Sequence, residues 1–163
     1  MLKTIATLAL LATTITPALS EEIRGEATFA WLAVGSTFTL GDGRPYFAGQ
    51  FSGINVFKND GGGALANSTI QCPGYNDIGV DAAGYCTVTA GNGDKLFLKW
   101  SCTAAAPAAG DLAACEGAAT VVGGTGAFEK ATGGNQFYSH VRGVNADGTT
   151  MGYSELRNYV VTY

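Results

Sequence analysis

The segment Val-Val-Gly-Gly-Thr-Gly-Ala-Phe-Glu-Lys-Ala-Thr-Gly-Gly, residues 121–134, decides how this chain folds. Its β-branched start indicates a strand, and Gly123, Gly124 and Gly126 permit backbone angles that other residues avoid. Phe128 is the only aromatic residue of the segment and stands where its ring can be buried beneath a bend. The segment therefore predicts a strand, a sharp turn plugged by an aromatic side chain, and a further strand beyond it.

Strand-like sequence continues on both sides of this turn. β-Branched and aromatic residues alternate with small or polar ones, and clusters of Gly, Asn, Asp and Pro separate the alternating segments. The segments are 24–34, 46–57, 65–72, 85–90, 95–100, 115–122, 136–141 and 151–163, and loops are expected at 58–63, 73–77 and 104–114. No segment has a convincing amphipathic helical period. The chain is predicted to be all-β, an antiparallel barrel or sandwich of about eight strands.

The second strand-like segment carries an unusual pattern. Its residues Phe47, Gly49, Phe51, Gly53, Asn55 and Phe57 share one face. Glycine alternating with aromatic residues is typical of strongly curved sheets, in which glycines accommodate the coiling and the rings fill the space. Curvature of this kind is expected where a sheet closes.

Residues 1–20 have the pattern of a secretory signal peptide. A lysine near the start precedes an apolar and threonine-rich stretch over 5–15, and Ala18-Leu19-Ser20 supplies the small residues of a cleavage site. The apolar stretch is too short for a comfortable membrane span, and no second one follows. We therefore expect a secreted or periplasmic protein with no membrane span, whose folded domain is 21–163.

Charge argues against two classes of partner. The chain has a formal net charge of −4 and only 13% charged residues, and it contains no basic run. Binding to nucleic acid or to an anionic membrane depends on clustered Lys and Arg. Neither partner is predicted.

Four cysteines in an apparently exported chain favour two disulfides. Three pairings exist, and we favour Cys72–Cys86 with Cys102–Cys115 because each pair brackets a turn-rich segment. The rival interpretation, a metal site, lacks a CxxC motif and has only one histidine in the sequence to draw on. No metal and no cofactor are predicted.

The glycine turn carries a resemblance to a known family. Residues 123–133 follow the pattern GGTG-x-[FY]-x-x-x-x-G, and together with the preceding segment 84–100 they resemble exported bacterial proteins similar to the allene oxide cyclase and dirigent barrels. The resemblance implies a single eight-stranded antiparallel β-barrel around an apolar cavity. In the plant members that cavity holds a reactive organic intermediate and steers its cyclisation or coupling. The glycine motif serves the bend and carries no chemistry.

Candidate ligand-binding residues come from the aromatic residues and from the last strand. Trp31 and Trp100 are candidates to line a lumen, although most aromatic residues are expected in general packing. On the last strand Tyr153, Glu155 and Arg157 share a face with Tyr159 and Val161. That face is either an exposed ion pair or, in the sharper hypothesis, a lumen wall that orients a polar ligand group or supplies a general base.

Three further residues complete the candidate set. Glu26 lies on the first strand, which neighbours the last strand in a barrel, and it is a candidate to join Glu155 and Arg157. Tyr138 and His140 share a face, and His140 is either structural or a lone acid or base. A serine hydrolase is not indicated because the chain has no GxSxG motif.

The leading functional prediction is a barrel that binds a small apolar or amphipathic molecule in its lumen. One alternative is a cyclase, isomerase or dirigent-type enzyme that acts on a reactive hydrophobic intermediate. Another is a filled barrel that serves as a surface interaction module and forms homo-oligomers. An internal cavity with buried polar groups favours the first two, and a solid lumen with an exposed aromatic patch favours the third.

Overall fold

Eight strands follow one another around a closed barrel, each antiparallel to its neighbours, and the last strand pairs with the first. A computed structural model describes residues 20–59 and 61–163, so residues 1–19 of the predicted signal peptide lie outside the described part. The strands are β1 (Glu22–Thr39), β2 (Pro45–Phe57), β3 (Thr69–Asp77), β4 (Asp81–Thr89), β5 (Lys95–Ala105), β6 (Ala113–Gly124), β7 (Thr132–Val144) and β8 (Thr150–Thr162). The eight-stranded antiparallel barrel is thus confirmed. Within the described residues no helix is long and apolar enough to cross a membrane.

Glycines on the inner face make room for the two indole rings. A Cβ at Gly74 would lie 2.7 Å from Cζ2 of Trp100, and one at Gly152 would lie 2.5 Å from Cζ2 of Trp31. The indoles therefore lie close against the backbone of the barrel wall. The predicted glycine and aromatic alternation of β2 has the same role, since a Cβ at Gly49 would lie 2.5 Å from the Phe47 ring.

The glycine turn closes one end of the barrel. A 3₁₀ turn at Gly126–Phe128 follows β6 and places Phe128 with no exposed surface, its ring centroid 4.8 Å from that of Tyr163. A second 3₁₀ turn, Gly63–Leu65, buries Leu65 completely. The predicted aromatic plug is confirmed, and the two turns close the end of the barrel at which β1 begins and β8 ends.

Both favoured cysteine pairs lie at disulfide distance. Cys72 on β3 is bonded to Cys86 on β4, and Cys102 on β5 is bonded to Cys115 on β6. Each bond joins neighbouring antiparallel strands, as the bracketing argument predicted.

Three loop and strand boundaries differ from the sequence interpretation. Residues 65–68 precede β3, because Leu65 ends a 3₁₀ turn and is fully buried and Asn67 has a left-handed φ of 56°. Residues 73–77 belong to β3, since the glycine of the Pro-Gly pair accommodates Trp100 and forms no turn there. β1 extends to Thr39, beyond the end of its pairing with β8 at Ala33.

Candidate functional site

The lumen of the barrel contains a cavity of about 120 Å³. Its inner end lies above the plugs of the closed end, and its walls come from all eight strands. Its mouth is at the opposite end, where the β3–β4 turn, residues 77–81, and Ala104 and Ala113 form the rim. A neighbouring surface hollow over the outer face of β4–β6 shares only Asp81 and Ala82 with the lining of this cavity.

Aromatic rings form much of the cavity wall. Phe51 stands between the two indoles, with ring centroids 5.4 Å from Trp31 and 5.8 Å from Trp100, both in edge-to-face geometry. Ile70, Leu98 and Leu156 add aliphatic surface. This arrangement favours a ligand with a flat apolar body.

A short polar chain crosses one side of the cavity. The indole Nε1 of Trp31 donates to Ser154 Oγ at 3.3 Å, and Ser154 Oγ donates to Ser139 Oγ at 2.9 Å. These three side chains line the cavity from β1, β8 and β7. Their hydrogen bonds hold the Trp31 ring in a fixed orientation.

Three other polar groups in the cavity wall have no partner among the described residues. They are both amide atoms of Asn55, the hydroxyl of Tyr159 and the indole Nε1 of Trp100. Asn55 and Tyr159 are each 1% exposed. Burial raises the pKa of the Tyr159 phenol, so its hydroxyl stays protonated and can donate. Buried polar groups are nearly always hydrogen-bonded, so these groups are candidates to contact a bound molecule or ordered water.

The mouth is acidic. Asp77 and Asp81 lie at the rim, and Arg44 Nη1 donates to Asp77 Oδ1 at 2.6 Å. The same guanidinium donates through Nε to Asp42 at 2.7 Å. One arginine therefore ties the β1–β2 loop to the end of β3 beside the opening.

The predicted site residues separate into two groups. Trp31 and Trp100 line the cavity. The other six do not line it and lie on the outer wall; they are Glu26, Tyr138, His140, Tyr153, Glu155 and Arg157. Five of these six lie close together on β7 and β8, where Tyr138 pairs with Glu155 and His140 pairs with Tyr153.

The lumen hypothesis for the face of Tyr153, Glu155 and Arg157 is corrected by a register shift in β8. Opposite β1, the pairing jumps from Gly25–Tyr159 to Ala27–Leu156, and Asn158 has a φ of 50°. This irregularity changes the alternation of the strand, so Ser154, Leu156, Tyr159 and Val161 point inward. Glu155 and Arg157 form a half-exposed ion pair of 2.7 Å, as the alternative interpretation held.

Glu26 is paired with a residue other than the predicted ones. Its carboxylate accepts from Lys58 Nζ at 2.8 Å, and both side chains are more than half exposed. The hydrogen bond and charge of Lys58 lower the pKa of Glu26, and Arg157 adds a smaller electrostatic effect in the same direction. Glu26 thus belongs to the outer charged surface near Arg157 without contacting it directly.

His140 has a carboxylate neighbour that its sequence context did not show. Its Nδ1 lies 2.7 Å from Asp111 Oδ2, and its ring stacks on Tyr153 at 4.3 Å. The Asp111 side chain has no exposed surface and also accepts from Arg142 at 2.9 Å. Burial alone would raise the pKa of Asp111, but the hydrogen bonds from His140 and Arg142 outweigh it and hold that pKa below its usual value. An ionised carboxylate only accepts hydrogen bonds, so His140 carries its proton on Nδ1.

This outer cluster holds a loop in place. Asp111 belongs to the β5–β6 loop, and that loop is also bound through Tyr138, whose hydroxyl donates to the carbonyl of Ala106. The other ring nitrogen of His140, Nε2, is 3.8 Å from Glu155 Oε1 and is buried. The cluster therefore fastens the rim of the barrel to β7. Among the described residues no group of three His, Cys, Asp or Glu side chains is arranged to hold a metal.

Several residues of the cavity escaped the sequence argument. The sequence pattern placed Asn55 on the same face of β2 as Phe51, so its position on the cavity wall could have been predicted from that face. Ser139 and Ser154 gave no signal, because isolated serines are common on both faces of strands. Simple alternation through Asn158 placed Tyr159 on the same face as Glu155 and Arg157. That placement is wrong because Asn158 has a positive φ, which no sequence pattern predicted.

Comparison with known proteins adds nothing to the geometry: no family model, no curated protein and no solved structure matches this chain. The resemblance to the allene oxide cyclase and dirigent barrels stays a prediction from the glycine motif.

Proposed function

We propose that this protein is exported and binds a small apolar or amphipathic molecule in the lumen of its barrel. The observation that carries the proposal is a cavity that combines aromatic walls with unpartnered buried polar groups and that reaches the surface at one end. The two cysteine pairs at disulfide distance support an oxidising compartment, secreted or periplasmic.

The size of the cavity limits the ligand. An engineered protein cavity of roughly 150 Å³ lined by apolar side chains binds benzene, and the present cavity of about 120 Å³ belongs to the same class. A single ring with one short substituent matches this space. A long acyl chain would have to extend through the mouth.

A matched pair of substitutions on one strand tests the proposal. Ala119 is 8% exposed and lines the cavity, whereas Ala118 beside it points outward. Ala119→Phe should fill the lumen and weaken the binding of ethylbenzene by at least about tenfold, and Ala118→Phe should leave it unchanged. Isothermal titration measures both, with circular dichroism to confirm that each variant is folded. Equal affinity in the two variants, or no binding of single-ring probes to the wild type, would count against the proposal.

A second candidate function, a surface interaction module, is favoured by an apolar area on the outer wall. Leu32 and Val34 on β1 are 44% and 60% exposed, and Ile54, Val56 and Met151 on the neighbouring strands are also exposed. Contiguous exposed apolar surface is typical of contact sites. Leu32→Ser combined with Val34→Ser should lower the subunit number seen by native mass spectrometry if this area joins copies of the chain. An unchanged monomer in wild type and variant would remove this candidate.

A further inference from the structure

We propose, on the basis of the lumen-binding function above, that the ligand is a neutral single-ring molecule bearing a group that both donates and accepts hydrogen bonds, such as a carboxamide or lactam. Asn55 is the residue that recognises this group, and the hydroxyl of Tyr159 assists it.

The Asn55 side chain is almost fully buried and yet offers two free hydrogen-bonding atoms. Its exposed fraction is 1%, and neither Nδ2 nor Oδ1 has a partner among the residues that the structure describes. Its own backbone is satisfied, because its N–H donates to the carbonyl of Ser68 at 2.8 Å. A leucine of similar size would avoid the cost of burying unpaired polar atoms at this position. Folding has already removed water from both atoms. A ligand that pairs with them therefore gains two hydrogen bonds without a further desolvation cost on the protein side.

A side-chain amide presents a donor and an acceptor side by side. The group that complements both at once is another amide edge, which supplies an N–H to Oδ1 and a carbonyl oxygen to Nδ2. A ketone satisfies only Nδ2, and an ammonium group satisfies only Oδ1. Tyr159 adds a hydroxyl that can donate to a second lone pair of the ligand carbonyl, and the Trp100 indole N–H adds a further donor on the wall.

The charges around the cavity select against ions. Among the described wall residues the carboxylates, Asp77 and Asp81, lie at the mouth; Arg44 offsets the charge of Asp77, and Asp81 is left to repel an anion. Below the mouth the polar wall residues are neutral Asn, Ser, Trp and Tyr, so a buried cation would have no counter-charge. A neutral polar group is the one that this wall can desolvate at low cost.

Three probes with the same ring isolate the polar group. Benzamide carries the complementary amide, benzoate has a similar shape with a negative charge, and ethylbenzene has only apolar atoms. Titration calorimetry of the disulfide-bonded protein should give benzamide an affinity at least about tenfold higher than that of ethylbenzene, and no detectable binding of benzoate at neutral pH. Asn55→Leu should lower the affinity for benzamide by at least about tenfold and change the affinity for ethylbenzene by less than about threefold.

The substitution also has a readout that needs no ligand. Because Asn55→Leu removes two unpaired buried atoms, it should raise the melting temperature of the empty protein. A lower melting temperature would mean that Asn55 is held by structural hydrogen bonds and would overturn the proposal. Tyr159→Phe deletes the hydroxyl oxygen and keeps the shape of the ring. It should lower the affinity for benzamide by a few-fold and leave the affinity for ethylbenzene unchanged.

The outcomes separate this inference from the function on which it rests. Equal affinity for benzamide and ethylbenzene, or benzamide binding that survives both substitutions, overturns the amide recognition and leaves the lumen-binding function standing. Failure of all three probes to bind the wild type overturns both.

Discussion

Asp111 illustrates how single residues stabilise the rim of this barrel. Its buried carboxylate accepts hydrogen bonds from the backbone N–H of Ala108, from His140 and from Arg142, and so ties the β5–β6 loop to itself and to β7. The pKa of this carboxyl is held below its ordinary value. Stability therefore depends on the ionised form of one side chain that the sequence alone did not single out.

Asp111→Asn tests this dependence on pH. A carboxyl whose folded pKa is depressed contributes stability above its unfolded pKa, about 3.9, and loses that contribution as the pH falls through the folded pKa. The variant should therefore unfold at lower urea concentration than wild type at pH 7, and the difference should shrink as the pH falls below about 4. Glu129→Gln, which removes an exposed carboxylate at the other end of the barrel, is the control. A difference between wild type and Asp111→Asn that is independent of pH would contradict the assignment.

Sequence reasoning found His140 but could not find its partner. The two residues are 29 positions apart, and only the register of the β6–β7 hairpin, with Ala113 opposite Val141, places Asp111 beside the imidazole. Register depends on the turn, and the composition of the glycine turn between β6 and β7 predicts a bend without fixing which residues pair across the hairpin. The lumen residues of β8 were misassigned for a related reason, since one left-handed residue at Asn158 reverses the inward and outward pattern.

At the level of elements, the turn over residues 123–128 connects two hairpins as well as two strands. Thr125 N–H donates to the carbonyl of Lys95, and Lys95 N–H donates to the Thr125 hydroxyl at 3.0 Å. Ala127 N–H donates to Asp94 Oδ2 at 3.1 Å in the β4–β5 turn. The composition of the segment predicted the bend and its aromatic plug, because both follow from local backbone and burial requirements. The contacts with Asp94 and Lys95 could not be predicted, because they depend on how the β5 and β6 strands align.

The plug can be tested by removing its ring. Phe128→Ala should lower the free energy of unfolding by about 3–5 kcal/mol, because the ring is completely buried and its removal leaves a cavity between the two 3₁₀ turns. Val122→Ala, at a 53% exposed position just before the turn, should change it by less than about 0.5 kcal/mol. Chemical denaturation measures both. A small effect at Phe128 would mean that the closed end is held by other contacts.

Alanine substitutions at two glycines with positive φ distinguish the cost of backbone strain from the cost of a steric clash. Gly126 has a φ of 57°, and a Cβ there would collide with the Asp94 carboxylate; Gly148 has a φ of 83° with open space around it. Gly148→Ala should cost about 1 kcal/mol, from the backbone conformation alone. Gly126→Ala should cost clearly more, because Asp94 must also move away from the Ala127 N–H. Equal losses in denaturation experiments would show that the contact between the two turns is unimportant.

At the level of the whole molecule, the fold class was predictable because it rests on many weak signals that agree. Eight alternating segments, regular turns and the glycine and aromatic pattern of β2 all indicate a closed, curved sheet. Whether the lumen is hollow was not predictable, because that depends on how far side chains from all eight strands reach into a shared space. The small residues Ala82, Ala114 and Ala119 leave room that the aromatic residues do not fill.

The disulfides contribute to the stability of the whole barrel. They link residues 14 and 13 positions apart, and closing loops of this length contributes roughly 3 kcal/mol each in the chain-entropy model. Reduction should therefore shift the urea midpoint strongly downward, and the Cys102→Ser, Cys115→Ser double variant should show about half of that shift. Peptide mapping without reduction should recover the pairs 72–86 and 102–115. Recovery of any other pairing would contradict the hairpin arrangement.

Lumen binding and amide recognition together require that the polar group of a ligand contacts Asn55 inside the barrel. A crystal structure of the protein soaked with benzamide would show this contact itself. We expect the ring to lie in the lumen, in contact with the aromatic side chains around Phe51, and the amide to lie within hydrogen-bonding distance of both Asn55 Nδ2 and Oδ1. A lumen filled by the protein's own side chains, or benzamide bound only on the outer wall, would contradict it.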